Sequence, residues 1–443
     1  MKILIYGLNY APELTGTGKY TAEMAVLMSG RGHDVRVICA PPYYPEWRVS
    51  AGYTAWRYRR ETRDGVMLWR APLWVPSCPT GIKRMLHLAS FAASSLPLLA
   101  RHALWRPDAV MLIAPTLMCA PAALALARVT RASAWLHIQD YEVDAAFELG
   151  LLKSSRTARM ARWFESALLR RFDAVSSITR QMSARAMAKG VLPARVMCLP
   201  NWVDVSSIFP LPRASEYRQQ LGIQDGQKVV LYSGNMGAKQ GLETLADAAA
   251  LLAARADITF VFCGGGAAKE NLLARCSGLT NCIFIPLQPA ERLNELLNLA
   301  DIHVLPQRAD AADLVMPSKL TGMFASGRAT VAMARRGTAL HEAVCSRGVV
   351  VPPNNVRALA AALGVLASDA QRRAALGRAA RHYAEHALSP ESIIQTFEER
   401  LAMVFRQMDV RQVKTRAGHF DPRSSTGGAR RRKPATAEKA APD

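Results

Sequence analysis

A chain of 443 residues, half of them hydrophobic, is too long for one ordinary core and apolar enough to pack two. Its net charge of +21 is uneven: +13 lies in residues 1–215, +2 in residues 216–410 and +6 in residues 411–443, so a phosphate-bearing partner is sought mainly for the first half. The eight cysteines include no C-x-x-C pair, which argues against a zinc site or disulfide frame, and no uninterrupted apolar run is long enough to span a membrane.

All eight tryptophans fall in the basic first half. Tryptophan beside arginine, without a nucleic-acid motif, favours an anionic membrane surface over nucleic acid as the partner. The scattered thiols and the short first apolar run, which is no signal peptide, are those of a cytoplasmic protein, at most peripheral to a membrane.

The chain opens with a strand over residues 2–6, a loop over 7–17 and a helix over 18–29. Gly16-Thr17-Gly18-Lys19 resembles a phosphate loop, but the spacing rejects a Walker motif, because the required positions hold Glu13 and Tyr20. A glycine turn at a helix start still offers N–H groups to an anion, so Gly16 and Gly18 are candidate ligand contacts; a plain turn is the alternative. A second strand is expected over residues 34–40.

Residues 41–79, rich in Pro, aromatics and Arg, read as an inserted loop and a hairpin turning near Gly65. Residues 81–105 read as one strongly apolar helix with basic ends. Trp56, Arg57, Arg60, Trp69, Lys83 and Arg84 are therefore candidates for contact with a membrane surface and a phosphate-bearing lipid. A solvated hairpin and a buried core helix fit the same residues.

Strands over residues 109–114, 133–137 and 174–177 alternate with helices, the pattern of a mostly parallel sheet covered on both faces. Asp140 follows the second of these closely, and the carboxyl ends of strands are where open α/β sheets bind ligands. A helix cap is its alternative role, and His137 reads equally as a satisfied core histidine. The connector LPNWVDVSSIFPLP (199–212) precedes a second alternation, with strands over 228–233, 258–264, 282–286, 301–306, 329–332 and 348–351. Two doubly wound units leave a cleft between them.

In the second unit the turn YSGNMGAKQGLE places Gly234, Asn235, Gly237 and Lys239 after a strand, and Gly264-Gly265-Gly266 repeats the idea more weakly. The full dinucleotide fingerprint is missing, so no redox cofactor is expected. Residues 301–332 read strand, polar loop containing Asp313, helix, strand. Pro317 suits the first turn of that helix, which sets Ser318 and Lys319 at its N-terminus facing the loop. From residue 355 the chain is helical to about residue 408, and the remainder, with the basic run 430–433, lacks the apolar surface to fold.

NYAPELTGTGKYT, HIQDYEVDAAFELGLL, PNWVD, YSGNMGAKQGLETL and ADLVMPSKLTGMFASG together resemble the GT4 family of nucleotide-sugar glycosyltransferases, over roughly residues 1–408. The resemblance implies the α/β GT-B fold, two doubly wound, Rossmann-like parallel-sheet domains facing across a cleft. Its parts would be an acceptor-side domain (1–200), a linker (201–213), a nucleotide-sugar-binding domain (214–388), a helix packing back on the first domain (389–410) and a disordered basic tail (411–443). The implied reaction is a retaining hexosyl transfer needing no cofactor and no metal, in agreement with the lack of an Asp-x-Asp motif. It would move fucose from GDP-fucose to an undecaprenyl-diphosphate-linked saccharide at the inner face of the cell membrane, in colanic-acid-like exopolysaccharide synthesis.

Carried onto this sequence, the resemblance makes Lys239 and Lys319 the cations at the leaving diphosphate and Asp140 a contact to acceptor or transferred sugar. It sets Gly16, Gly18, Gly234, Asn235, Gly237, Gly265, Asp313, Pro317 and Ser318 around the donor. Two departures stand out. The family's pair of glutamates eight positions apart reads Leu314 and Gly322, with Asp313 one residue from the first, and the Arg and Lys of its glycine turn read Asn235 and Gln240. An epimerase of nucleotide sugars on the same fold, or a non-catalytic scaffold, are the competing readings.

Overall fold

The computed structural model describes residues 1–13, 16–77, 81–141, 155–237, 240–308 and 317–417. Lys239 and Asp313, and Leu314 of the altered glutamate pair, lie outside the described residues, as does the basic run 430–433.

Apolar runs without alternation become strands buried on both faces. β5 (Ala109–Ala114), β6 (Ser133–Ile138) and β10 (Ile258–Cys263) bury every residue, as a parallel sheet sandwiched by helices requires. The first sheet adds β1 (Lys2–Tyr6), β2 (Asp34–Cys39), β3 (Arg59–Arg63), β4 (Val66–Arg70), β7 (Ala174–Ser177) and β8 (Val196–Cys198), in the order β3-β4-β2-β1-β5-β6-β7-β8. Only β3 is antiparallel. The second sheet is parallel throughout, in the order β11 (Cys282–Ile285), β10, β9 (Lys228–Ser233), β12 (Ile302–Leu305), β13 (Ala329–Met333), β14 (Val349–Val351). The strand order reverses between β1 and β5 in the first unit and between β9 and β12 in the second. The crevices beyond the carboxyl ends at those two points are where such sheets take ligands.

The hairpin is present but docks as the edge of the first sheet, with Asp64 and Gly65 both at positive φ in its turn, as a two-residue hairpin demands. This corrects the reading of Trp69. It is only 6% exposed, with its ring edge-on to His102 at 4.5 Å, because β4 pairs with β2 and is covered by helices, so Trp69 is core and offers no surface contact. Arg70 is buried as well. It pairs with Glu61 at 2.7 Å and donates to the carbonyls of Ala40 (2.8 Å) and Ala11 (2.6 Å), tying the loop after β1 to the sheet edge. The apolar stretch after the hairpin is two helices, Gly81–Ser94 and Leu96–Trp105. The chain breaks at buried Ser95, whose hydroxyl bonds Tyr6, and Pro97 falls in the first turn of the second helix.

The chain returns to its first unit at the end. Helix Pro390–Ala417 lays Ile393, Ile394, Phe397 and Leu401 into the core beneath the first sheet, Phe397 edge-on to Trp135 at 4.7 Å. Glu398 bonds Arg31 (2.6 Å) and His33 (2.9 Å). Trp202 of the connector enters the same core and donates to Glu23 at 2.8 Å, while the Val203 N–H donates to the Leu388 carbonyl at 3.0 Å.

Candidate functional site

In the second unit the carboxyl end of β9 turns through Gly234, at φ +127°, and the side chain of Lys319 lies over it. A Cβ at position 234 would stand 2.3 Å from Lys319 Cε. A Cβ at Gly264 would stand 2.1 Å from the Gly234 carbonyl oxygen, so the ends of β9 and β10 fit together only as glycines. The turn is held by Gly234 N–H donating to Cys263 O and Met236 N–H donating to Gly265 O, both at 2.8 Å.

Lys319 opens helix Lys319–Ala325, one residue after Ser318 and two after Pro317. Its Nζ donates to Tyr232 Oη at 2.7 Å, and Tyr232 Oη donates to the Asn235 carbonyl at 2.5 Å. Burial pushes the Tyr232 hydroxyl above its ordinary range and pulls the Lys319 amine down to about 8. Among the described residues no carboxylate forms an ion pair with Lys319. A buried ammonium held only by a neutral phenol is a charge awaiting an anion. Gln240 Oε1, beside Gly237, is likewise buried with no hydrogen-bond partner among the described residues. Arg308 packs against Gly241 at the same turn, and Gly265 stands exposed beside it. Gly322 occupies the position of the family's second glutamate, 3.2 Å from Leu297 when given a Cβ, so that carboxylate has no counterpart in this helix.

In the first unit the loop after β1 is fixed by a residue the sequence reading used only to reject a Walker motif. Glu13 is buried and accepts from Tyr43 N–H and Tyr44 N–H, each at 3.0 Å, and from Asn9 Nδ2 at 2.9 Å. Burial outweighs these bonds and raises its carboxyl above the usual range. A Cβ at Gly18 would stand 2.9 Å from Glu13 Oε2, so Gly18 is needed for this clamp. Gly16 begins the following helix at φ +61°. The loop closes over a cavity of about 180 Å³ lined by Asn9, Gly16, Gly18, Tyr44, Arg84 and Asp140, among others. His137, by contrast, is a satisfied core histidine: Nδ1 meets Ser176 Oγ at 2.9 Å, Nε2 meets the Gln139 amide at 3.0 Å, and burial lowers its pKa to about 4.

The two units meet between these loops. Tyr20, on the helix after the first glycine turn, lies close to Thr321 on the helix that Lys319 opens. Beside them lies a cavity of about 490 Å³ lined by Thr179, Arg180 and Asn201 on one side and by Pro317, Ser318 and Thr321 on the other. The structure thus gathers Gly16, Gly18, Asp140 and Arg84 in one place. It gathers Gly234, Asn235, Gly237, Gly265 and Lys319 in a second, and Pro317 and Ser318 line the space between the units. Trp56 (71% exposed) and Arg57 are exposed just before the outer hairpin and Arg60 on it, and Lys83 is on the surface of the helix that carries Arg84.

Sequence reasoning missed Glu13, Tyr232, Tyr20 and Thr321. Tyr232 alone left a signal, as the only polar group inside the β9 apolar run. Among the described residues no cluster of His, Cys, Asp or Glu could hold a metal ion, and no helix is long and apolar enough to cross a membrane.

Residues 15–202 match the model of a glycosyl transferase 4-like domain, and residues 214–383 match that of glycosyl transferases group 1. The chain is 43% identical to the putative colanic acid biosynthesis glycosyl transferase WcaI of Escherichia coli, over 90% of this chain and 98% of that one. Among solved structures, sucrose-phosphate synthase from Thermosynechococcus elongatus superposes with a TM-score of 0.71 at 17% identity, covering 92% of this chain and 100% of the other. The Anabaena protein HepE, solved with UDP and glucose, does so with a TM-score of 0.65 at 17% identity, covering 91% and 100%. At these identities the two structures speak for the shared two-unit fold.

Proposed function

The chain belongs to the GT4 glycosyltransferases of the GT-B fold, and from that premise we propose that it transfers fucose from GDP-fucose, with retention, to an undecaprenyl-diphosphate-linked saccharide at the cytoplasmic face of a membrane. The product would enter a colanic-acid-like exopolysaccharide, a reading supported by the 43% identity to a protein named for that pathway. The observation that carries the chemistry is the buried Lys319 ammonium, without a carboxylate partner among the described residues, over the glycine turn at the end of β9.

The barrier to transfer is departure of a nucleoside diphosphate while positive charge develops on the sugar. Lys319 and the N–H groups of the Gly234–Gly237 turn would neutralise the departing phosphates in a partly dry site, where fixed charges act strongly. Lys239 is the proposed second cation, Asn235 a donor to phosphate oxygen, and Ser318 and Asp313 contacts to the rest of the donor. With the positive charge supplied by the protein, the transfer asks for no divalent metal. On the first unit, Gly16, Gly18 and Asp140 would face the sugar and the acceptor hydroxyl. The leaving phosphate takes the acceptor's proton on the same face of the sugar, so the protein's task is positioning.

The test is transfer of labelled sugar from GDP-, UDP- and ADP-linked donors to a lipid-linked acceptor, in the presence of a chelator. GDP-fucose-dependent product with the donor's anomeric configuration is expected. Selectivity for another base would overturn the donor assignment, and an inverted product would overturn the mechanism.

A further inference from the structure

Among the described residues, five helices cover one face of the first sheet: Gly81–Ser94, Leu96–Trp105, Ala120–Thr130, Ser155–Leu169 and Arg180–Ala188. Their inward sides share one core through residues such as Phe91, Leu99, Leu126, Leu168 and Ala186, so their other sides all point away from the sheet. Every one of them carries Lys or Arg, and together they hold a single acidic residue, Glu165, which is buried and paired with Lys189. These described helices are therefore strongly cationic.

Helix Ser155–Leu169 adds an apolar stripe to that charge. Met160, Trp163 and Phe164, spaced i, i+3, i+4, are 70%, 68% and 50% exposed, while Glu165, Leu168 and Leu169 turn inward. Arg156 and Arg159 interleave with the stripe, and Arg162 flanks it. On helix Gly81–Ser94 of the same face, Ile82, Met85 and Leu86 repeat the spacing and are likewise exposed. A water-facing helix has no use for Trp, Phe and Met one turn apart. A second copy of the chain would bring like charge against like. Aromatic and aliphatic side chains among arginines match the headgroup region of an anionic bilayer, the rings at interfacial depth and the guanidinium groups on lipid phosphate.

We propose that helix Ser155–Leu169 is the lipid-contacting anchor of this chain, inserting Met160, Trp163 and Phe164 into an anionic membrane surface, with Ile82, Met85 and Leu86 as a second contact on the same face. The assignment deepens the membrane partner of the proposed function and rests on that reading for the choice of partner. It moves the contact away from the hairpin at the sheet edge. It also sets the bilayer beside the cavity that Arg84 and Asp140 line, where a lipid-linked acceptor would enter.

The test is flotation of the full-length protein with phosphatidylcholine vesicles, with and without phosphatidylglycerol, in the absence of donor and acceptor. Vesicle binding and sugar transfer are then separate readouts, and either can fail alone. Binding to the anionic vesicles only, weakening with salt, is expected. The W163S/F164S variant should bind at least about tenfold more weakly, and R156A/R159A about thirtyfold more weakly, the worth of two arginines near an anionic leaflet. Both should keep the wild-type melting midpoint and the wild-type rate on a short, water-soluble acceptor. Unchanged flotation of W163S/F164S, equal binding of neutral vesicles, or a change in self-association in place of flotation would overturn the proposal.

Discussion

Replacing Lys319 by methionine separates a binding cation from a structural one, because the two predict opposite signs. The thioether keeps the length and packing of the side chain and removes the charge. In the free protein the amine is pulled from its ordinary 10.5 down to about 8, a depression worth about 3 kcal/mol against holding the charge in place. The substitution also removes the 2.7 Å bond to Tyr232 Oη, worth about 1 kcal/mol net. The ligand-free variant should therefore be more stable than wild type by roughly 1–2 kcal/mol, a rise of a few degrees in melting midpoint. Nucleoside diphosphate affinity should move the other way. Losing a charge-assisted bond to phosphate costs about 1.5–3 kcal/mol, a rise in Kd of roughly 10- to 150-fold. Differential scanning fluorimetry with and without GDP, UDP and ADP reads both effects in one experiment. A variant that melts lower without ligand, or that keeps the full ligand-induced shift, refutes the reasoning.

The same lysine predicts a pH dependence. An anion at Lys319 raises its pKa, so nucleoside diphosphate binding should take up a proton and weaken as pH rises through about 8, measurable by calorimetry in buffers of different ionisation enthalpy. Because folding depresses this amine, its contribution to ligand-free stability is fully present only above 10.5 and is lost as pH falls through about 8; K319M should flatten both profiles. Glu13→Ala strands the Tyr43 and Tyr44 N–H groups and should cost about 2–4 kcal/mol by denaturant titration, whereas Glu13→Gln keeps an acceptor for them and should cost under half as much. Gly18→Ala drives a methyl to 2.9 Å from the same carboxylate and should destabilise by about 1–3 kcal/mol. Combined with Glu13→Ala it should cost less than the sum of the two, since the carboxylate contact is gone, although the Cβ of residue 13, 3.0 Å from the added methyl, remains.

The sheets were the legible part of the chain. β1, β5, β7 and β9 begin and end at the residues their apolar runs mark, because a strand buried on both faces leaves a continuous signal in composition. Knowing where strands end also marked which loops open on the crevices, and the family resemblance then brought Lys319 and Gly234 into one argument before any contact was visible. Side-chain partnerships were not legible, because they join residues far apart in sequence. Glu13 holds backbone thirty residues away, and Arg70, on paper one more arginine of the Arg-rich stretch 41–79, is a buried tie between three segments. Trp69 illustrates the same limit: alternation shows that a hairpin has two sides without showing that both are covered. The break at Ser95 escaped notice because an apolar run looks alike whether it forms one helix or two. Helix Ser155–Leu169 was overlooked because its Trp, Phe and Met suggest burial until the fold shows which side of the helix is already occupied.

The paired crossing of the chain at Val203 and Leu388 has a mechanical consequence. A single tether would leave two bodies free to swivel about any axis. Here two segments pass between them side by side and are hydrogen-bonded to each other, and Arg381 reaches from helix Ala370–Ala387 to the carbonyls of Val205 and Ile208, stiffening the connector where it leaves the crossing. Two strands joined in this way resist torsion and allow bending, as a strip hinge does. The easiest relative motion of the two units is then a swing in one plane about the line through Val203 and Leu388, which would widen or narrow the gap between Tyr20 and Thr321 while keeping those residues in register.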